Sequence, residues 1–341
     1  MDSLGRGGAE RILIDSINRM DSSKNYLIYF HSPNTLENDV QNANVICLNK
    51  MGKGGNLFAI LLLRKLINKY KADVLHAHSY WTNIVSRVAA PENVKVINHY
   101  HFADYDTMKD KKSVRRMIVL DRLTERKLLT RVGVSKYVER ILNSTFPKGK
   151  NVCVPNFVLG EEAINRVVNY YSKEQLNMVA VGTIKSEKNY SFYIEAFNGL
   201  RDFPVSIDIY GGGDSLAQYR QRVSALKLDN IRFKGEVANV PQVLDKYNLF
   251  TSASTSETFG IALMEGVRAG LPLLVSDIPA FKEVAPKSAA TFFNPYDVGD
   301  FIDKVKSILE AKLIPSLSDY NSCLKTYSVD TYLAKIADLY R

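Results

Sequence analysis

Two glutamates, Glu257 and Glu265, stand eight residues apart in SETFGIALMEG, a run that is otherwise core-like. A buried carboxylate without a partner is costly, so the pair asks for donors that the run itself does not contain. A strand-like NLFTSAS precedes Glu257, and Gly260 can open a helix that Gly270 and Pro272 close. Glu257 then falls in the loop before the helix, and Glu265 about one and a half turns inside it. Eight positions of helix span at most ~12 Å. Between the two carboxylates lie the N–H groups of Thr258, Phe259 and Gly260, at a helix start that favours negative charge. Acceptor, anion site, acceptor is a pattern that a nucleotide sugar complements with sugar hydroxyls, diphosphate and ribose hydroxyls. Such a ligand supplies the missing donors. Both carboxylates are therefore expected to be poorly satisfied without it, and pairing of both to protein cations would contradict the reading.

Three further turns have residue types suited to an anionic ligand. In LGRGGAERIL (4–13), Gly7 and Gly8 precede a helical pattern and let backbone N–H groups approach an anion, or else form a tight turn. In AVGTIKSEKNY (180–190), a strand pattern ends at Gly182 and is followed by Lys185 and Lys188. These lysines can neutralise a diphosphate as point charges, or lie exposed as a solvated pair. YGGGDS (210–215), which includes Gly212, allows close approach to a planar or anionic ligand, or is a simple loop. His76 and His78 straddle a strand end. No third ligand is apparent beside them, so structural roles are expected rather than a metal site.

The elements that must position these residues alternate between strand and helix patterns. Short β-rich runs occur at 26–30, 44–48, 73–78 and 94–100, and later at 177–182, 205–211, 230–235, 248–253 and 271–277. Helical patterns fill the gaps, for example 9–19, 58–70, 191–200, 216–226, 240–246, 260–269 and 298–311. This alternation predicts parallel sheets with helices on both faces. A break near VPNFVLGEEAINRVV (154–168) divides it into two doubly wound domains with a cleft between, and ligands in such sheets bind beyond the carboxyl ends of the strands. Only residues 1–4 precede the first glycine turn, so most of a first strand is expected to be missing.

Length and composition suit a folded two-domain protein: 341 residues, 46% apolar and 24% charged. No apolar run approaches the ~20 residues of a membrane span. LFAILLL (57–63) reads as a buried helix, and no basic-then-apolar start suggests a secretory signal. Three scattered cysteines, Cys47, Cys153 and Cys323, match neither a disulfide framework nor a zinc spacing, which points to a reducing cytosol. The net charge is +9, and residues 109–131 (KDKKSVRRMIVLDRLTERKLLTR) hold nine basic and three acidic residues. Interleaved apolar positions there predict an amphipathic helix or helix pair. Its basic face is a solvated surface or docks on an anionic membrane, and nucleic acid is disfavoured because no recognised module accompanies it.

Taken together, GGAER (7–11), DVLHAHS (73–79), VGVSKYV (132–138), VPNFV (154–158), VGTIKSEKN (181–189), YGGGD, FKGEV (233–237), E-x7-E (257–265) and AGLPLLVSD (269–277) resemble the retaining glycosyltransferases of family 4. The resemblance covers nearly the whole chain and implies the GT-B fold: two Rossmann-like doubly wound domains facing a cleft. It places the N-terminal domain at 1–158, the nucleotide-sugar domain at 172–326, and a terminal helix at 327–341 crossing back to the first. By the same resemblance, Glu257 holds donor-sugar hydroxyls and Glu265 the ribose. Lys188 and the N–H groups of Phe259 and Gly260 hold the diphosphate, alongside Gly182, Thr183, Gly212 and Thr258. Gly7 and Gly8 match a loop that closes over the phosphates, and His101, with His99 second, matches the histidine by the anomeric carbon. Many members carry arginine where Thr183 stands, so either Lys185 substitutes or N–H groups hold most of the charge.

The implied reaction moves a sugar from a nucleotide diphosphate, UDP favoured, to a hydroxyl of a glycan or lipid-linked acceptor, with retention and by a front-face mechanism. Surface polysaccharide synthesis is the implied setting, at the cytoplasmic face of the membrane. No cofactor or metal is expected. DYD (104–106) spells the manganese-binding D-x-D of other glycosyltransferases, but it lies in the domain that does not hold the nucleotide. The alternatives are a nucleotide-sugar epimerase on the same fold, which would need no acceptor, and a non-catalytic nucleotide or nucleic-acid binder, which would show salt-sensitive oligonucleotide binding.

Overall fold

Runs rich in Val, Ile, Leu and aromatic residues form short strands, and interior ones such as Lys95–Tyr100, Leu129–Gly133 and Val205–Tyr210 are buried on both faces, as parallel sheets require. The computed structural model describes all residues except 6, 21–24, 50–54, 109, 161–162, 171–174, 238 and 312–313. Arg6 and Lys109 therefore lie outside the described residues. The chain divides into two units, Met1–Phe157 with Val329–Arg341, and Val158–Ser328.

The first unit contains β1 (Tyr26–Tyr29), β2 (Asn44–Cys47), β3 (Val74–His78), β4 (Lys95–Tyr100), β5 (Leu129–Gly133) and β6 (Lys150–Cys153). Its helices are α1 (Gly8–Ile17), α2 (Gly55–Tyr70), α3 (Tyr80–Ala89), α4 (Asp104–Thr107), α5 (Lys112–Leu123) and α6 (Lys136–Thr145). β1 and β2 pair in parallel, and β3-β4-β5-β6 form a four-stranded parallel sheet in sequence order. Residues 1–4, short as they are, run beside the end of β1 without being a strand. Asp2 O accepts from Phe30 N and His31 N, each at 3.0 Å, Leu4 N donates to Pro33 O at 2.9 Å, and Leu4 is buried.

The second unit carries β7 (Leu176–Val181), β8 (Val205–Tyr210), β9 (Ile231–Gly235), β10 (Leu249–Ser252), β11 (Leu273–Ser276) and β12 (Ala290–Phe293). Helices α7 (Tyr190–Gly199), α8 (Leu216–Ala225), α9 (Val240–Leu244), α10 (Ile261–Arg268), α11 (Pro279–Val284), α12 (Val298–Glu310) and α13 (Leu317–Thr326) connect and cover them. The parallel order β12-β11-β10-β7-β8-β9 winds outward one way from β7 and then the other way from β10. The strand order reverses between β7 and β10, which is where a doubly wound sheet holds its ligand. The core beneath is largely aromatic: Phe192, Tyr193, Phe197, Phe293 and Phe301 are all within ring-contact distance of one another in chains of pairs. The last helix, α14 (Val329–Tyr340), belongs to the first unit.

Two expectations change. The basic stretch is helical only over α5. Its end, LTRVG, is the interior strand β5, and there the Arg131 guanidinium is buried, paired to Glu125 at 3.0 Å and stacked 4.2 Å from the Phe146 ring. Arg126 is also structural, donating to Arg87 O, Ala90 O, Pro91 O and Val94 O just beyond α3. LFAILLL is the second. Ala59, Leu63 and Ile67 of α2 are buried, but Leu57, Phe58 and Leu61 are exposed.

A buried ion pair fixes α5 in place. Asp121 Oδ1 lies 2.5 Å from Arg87 Nη1 of α3, both side chains being fully buried, and it accepts from Tyr100 Oη at 3.0 Å. Tyr105 Oη donates to the other carboxylate oxygen. Arg87 Nη1 also donates to Asn98 Oδ1 at 2.8 Å, and its Nε to Thr124 Oγ1 at 3.0 Å. Removing one partner leaves a buried, uncompensated charge. Asp121→Ala is therefore expected to cost ~3–5 kcal/mol in urea unfolding, against a much smaller loss for Glu139→Ala, whose pair with Lys136 is at the surface.

Candidate functional site

The sequence features of the second unit converge at the carboxyl ends of β7 and β10. Beyond β7 the chain passes Gly182 and makes a 3-10 turn, Ser186–Lys188, followed by Asn189 in the left-handed region at φ 54°. Beyond β10, the loop carrying Ser254, Thr255 and Glu257 docks on that turn, with Thr255 N donating to Glu187 O at 2.8 Å. This docking brings Lys188 Nζ to 2.5 Å from Glu257 Oε1, which also accepts from Ser254 Oγ at 3.1 Å. The expectation that Glu257 is poorly satisfied without ligand is thus corrected. A lysine and glutamate that are 69 residues apart in sequence pair because their loops share a backbone hydrogen bond.

Glu265 keeps the other half of the expectation. It sits in the second turn of α10, and among the described residues no side chain bonds its carboxylate. Burial alone pushes its pKa up from the ordinary 4.5 to about 7. The helix begins at Ile261, one residue later than expected, with Gly260 as its cap at φ 96° and no side chain capping it. The N–H groups lacking intrahelical acceptors are therefore those of Gly260, Ile261, Ala262 and Leu263. At Gly260 a Cβ would lie 2.7 Å from the Phe281 ring, so both the backbone angle and the space require glycine. Phe259 is buried, edge-on to Tyr327 at 5.3 Å.

The glycine triplet has a structural reason that the sequence did not show. The loops after β7 and β8 continue side by side, with Gly182 N donating to Tyr210 O at 2.9 Å and Ile184 N to Gly212 O at 2.7 Å. A Cβ on Gly211 would lie 1.9 Å from Gly182 O, a backbone atom that cannot step aside. Gly211→Ala is expected to displace the 182–188 loop and cost about 1–3 kcal/mol in urea unfolding, while the far-UV circular dichroism stays native. Thr183 and Lys185 are both exposed within this loop.

In the first unit, Gly7 is the cap of α1 and Gly8 its first residue, with no side-chain cap. His101 follows the end of β4 and is half-buried, whereas His99 is fully buried. His76 and His78, read as lacking a third ligand, are joined by both of these residues. His76 Nε2 lies 3.2 Å from His99 Nδ1, and His78 Nδ1 lies 3.1 Å from His101 Nε2. One ring nitrogen each of His76, His78 and His99 lies within 4.8 Å of the others. Burial depresses all four, His76 to about 3 and His101 to about 4, so the imidazoles are neutral. The DYD residues form α4, where Tyr105 is buried and Asp106 accepts from Tyr137 Oη at 3.4 Å. Sequence reasoning missed Ser254 and the histidine grouping; the i, i+2 spacing of both histidine pairs was the available signal.

The chain matches the family described as "Glycosyl transferases group 1" over residues 162–322 and "Glycosyltransferase Family 4" over 6–158. It is 28% identical over 172 residues to the UDP-N-acetylglucosamine--peptide N-acetylglucosaminyltransferase GtfA subunit of Streptococcus pneumoniae, covering 50% of this chain and 30% of that protein. The chain spans between about a fifth and about a third of the length of the GtfA subunits it matches, 21% to 34%. Over 304 residues it is 22% identical to the Escherichia coli UDP-Gal:alpha-D-GlcNAc-diphosphoundecaprenol alpha-1,3-galactosyltransferase, covering 83% of this chain and 78% of that one. Among solved structures, Anabaena Alr3699/HepE in complex with UDP superposes with a TM-score of 0.80 at 15% identity, over 98% of this chain and 96% of that one.

Proposed function

Because the chain belongs to the glycosyltransferases of group 1 and family 4, with the GT-B fold, we propose that it moves a sugar from a UDP-sugar to a hydroxyl of a glycan or lipid-linked acceptor, with retention of configuration. One observation carries this reading. At the point where strand order reverses, a preset Lys188–Glu257 pair and the half-buried Glu265, which has no side-chain partner among the described residues, flank a helix start without a side-chain cap. A UDP-sugar meets each need. Its diphosphate takes over Lys188 and the N–H groups of Ile261 and Ala262, its sugar hydroxyls donate to the released Glu257, and its ribose hydroxyls donate to Glu265. Gly7, Gly8 and His101 take their roles from resemblance.

Catalysis in this reading rests on stabilising the departing diphosphate and on positioning, with the phosphate itself taking the acceptor proton. No metal is needed for that step, and turnover is expected to survive a chelator. A thermal-shift comparison tests the donor: UDP and UDP-sugars should raise the melting temperature, GDP and ADP should not, and Glu265→Gln, which loses the ribose contact, should abolish the rise with UDP. Acceptor-independent conversion of donor, or a product of inverted configuration by NMR, would overturn the transfer reading.

A membrane-linked acceptor fits the first unit, where α2, α3 and α5 pack side by side. Leu57, Phe58 and Leu61 of α2, Trp81 and Val88 of α3, and Val119 and Leu123 of α5 are exposed, among Arg64, Lys65, Arg115, Arg116 and Arg122. No described helix is long and apolar enough to cross a membrane. Exposed apolar residues interspersed with basic ones on neighbouring helices suit peripheral docking on an anionic, cytoplasmic leaflet. Nucleic acid is not a partner in this proposal.

A further inference from the structure

β3 and β4 are adjacent and parallel, with His78 opposite His99, so the i, i+2 pairs 76/78 and 99/101 put four imidazoles on one sheet face. They form two hydrogen-bonded pairs, 76–99 and 78–101, and the pairs stack on each other with centroids 4.4 Å apart at His76–His78 and 4.8 Å at His99–His101. Each N–H···N bond uses one proton and one lone pair. That leaves Nε2 of His78 buried without a partner among the described residues, and Nε2 of His99 facing only the Val154 backbone beyond normal hydrogen-bond geometry. Tyr340 Oη, 2.9 Å from His76 Nδ1, holds that ring so that its Nε2 points into the group. A second atom fixing the remote nitrogen is how metal-ligating histidines are oriented. With metal–nitrogen bonds of ~2.0–2.1 Å, tetrahedral ligands stand roughly 3.4 Å apart. The 3.1 and 3.2 Å contacts already approximate such an edge. Neutral imidazoles need lose no proton to bind a metal, and they select Zn2+, Ni2+ or Cu2+ over Mg2+ and Ca2+.

We propose that His76, His78 and His99 bind a late first-row divalent ion, with His101 beside them as the fourth ligand. As the ion binds, the proton shared in each N–H···N bond moves to a remote ring nitrogen, Nε2 of His99 and Nε2 of His78, so every ring stays neutral and the nitrogens that faced each other present their lone pairs to the ion. Occupancy withdraws His101 from the role that resemblance gives it, so the ion inhibits transfer. That consequence rests on the proposed function; binding itself does not.

The test uses the full chain dialysed against Zn2+ and, separately, Co2+. One equivalent of Zn2+ should be retained, and Co2+ should give the intense visible bands of tetrahedral coordination. His76→Gln with His78→Gln should lose both while keeping native circular dichroism. Should that variant not fold, 15N imidazole NMR of the unaltered protein decides: Zn2+ must shift the ring resonances of His76, His78 and His99. Absence of retained metal, or retention with these resonances unmoved, overturns the site. Retention at the histidines with undiminished transfer keeps the site and removes the inhibitory role, and with it the role of His101.

Discussion

Lys188→Ala is expected to lower acceptor-dependent release of UDP by about 10²–10³-fold, the usual effect of deleting one donor to a developing anion. The loss should fall mainly on kcat, because charge on the leaving oxygen grows in the transition state. Lys188 also neutralises Glu257, which is mostly buried and would be left with Ser254 alone. A purely structural role and a catalytic one therefore make different predictions. Lys188→Ala combined with Glu257→Gln should recover thermal stability in either case, because no unpaired charge is left, and UDP, which carries no sugar for Glu257, separates the roles. If the lysine only balances Glu257, the double variant keeps the UDP-induced rise in melting temperature; if it meets the diphosphate, that rise is lost. Lys188→Arg should retain part of the turnover, since it keeps charge but changes geometry. Steady-state kinetics and melting curves on the three variants separate these outcomes.

Glu265 should make the donor-free protein less stable as pH rises. A carboxyl whose folded pKa, about 7, exceeds its unfolded value of 4.5 favours folding below pH 4.5, and that contribution is lost as pH climbs through 7. The difference of the two values corresponds to ~3 kcal/mol by pH 8. Urea midpoints at pH 5 and pH 8 for the unaltered chain and for Glu265→Gln should diverge by that amount, the variant losing the slope. Saturating UDP should flatten the slope of the unaltered chain as well, because ribose hydroxyls donate to the ionised carboxylate. A slope unchanged by Glu265→Gln would show that solvent reaches the group.

Much of this site was legible because its elements are local. E-x7-E, the glycine after a strand and the glycine past a helix are rules of adjacent residues, and α10 starts within one residue of the expected place. What escaped depends on which strands become neighbours. β5 was hidden because Arg131 reads as surface charge, whereas its guanidinium is buried against Phe146 and Glu125. The histidine group was hidden because the pairing of His78 with His99 is a property of the β3–β4 register. Lys188 was assigned to a ligand, so its resting partner Glu257 went unseen. LFAILLL was misjudged because an apolar run has no polar face to mark the side that stays outside.

The last helix has a consequence for how the protein is made. Tyr340 bonds His76 across 264 positions, and Leu339 O accepts from Lys95 Nζ at 3.1 Å. On the ribosome, the second unit, Val158–Ser328, can complete its sheet as it emerges, whereas the first must wait for residues made after it. The earlier-born half is thus the later to finish, and it carries the slow, high-separation contacts. Loss of the final dozen residues should strike the histidine end of the first unit and spare the second, so that limited proteolysis of such a truncated chain would leave a resistant fragment from the middle of the sequence.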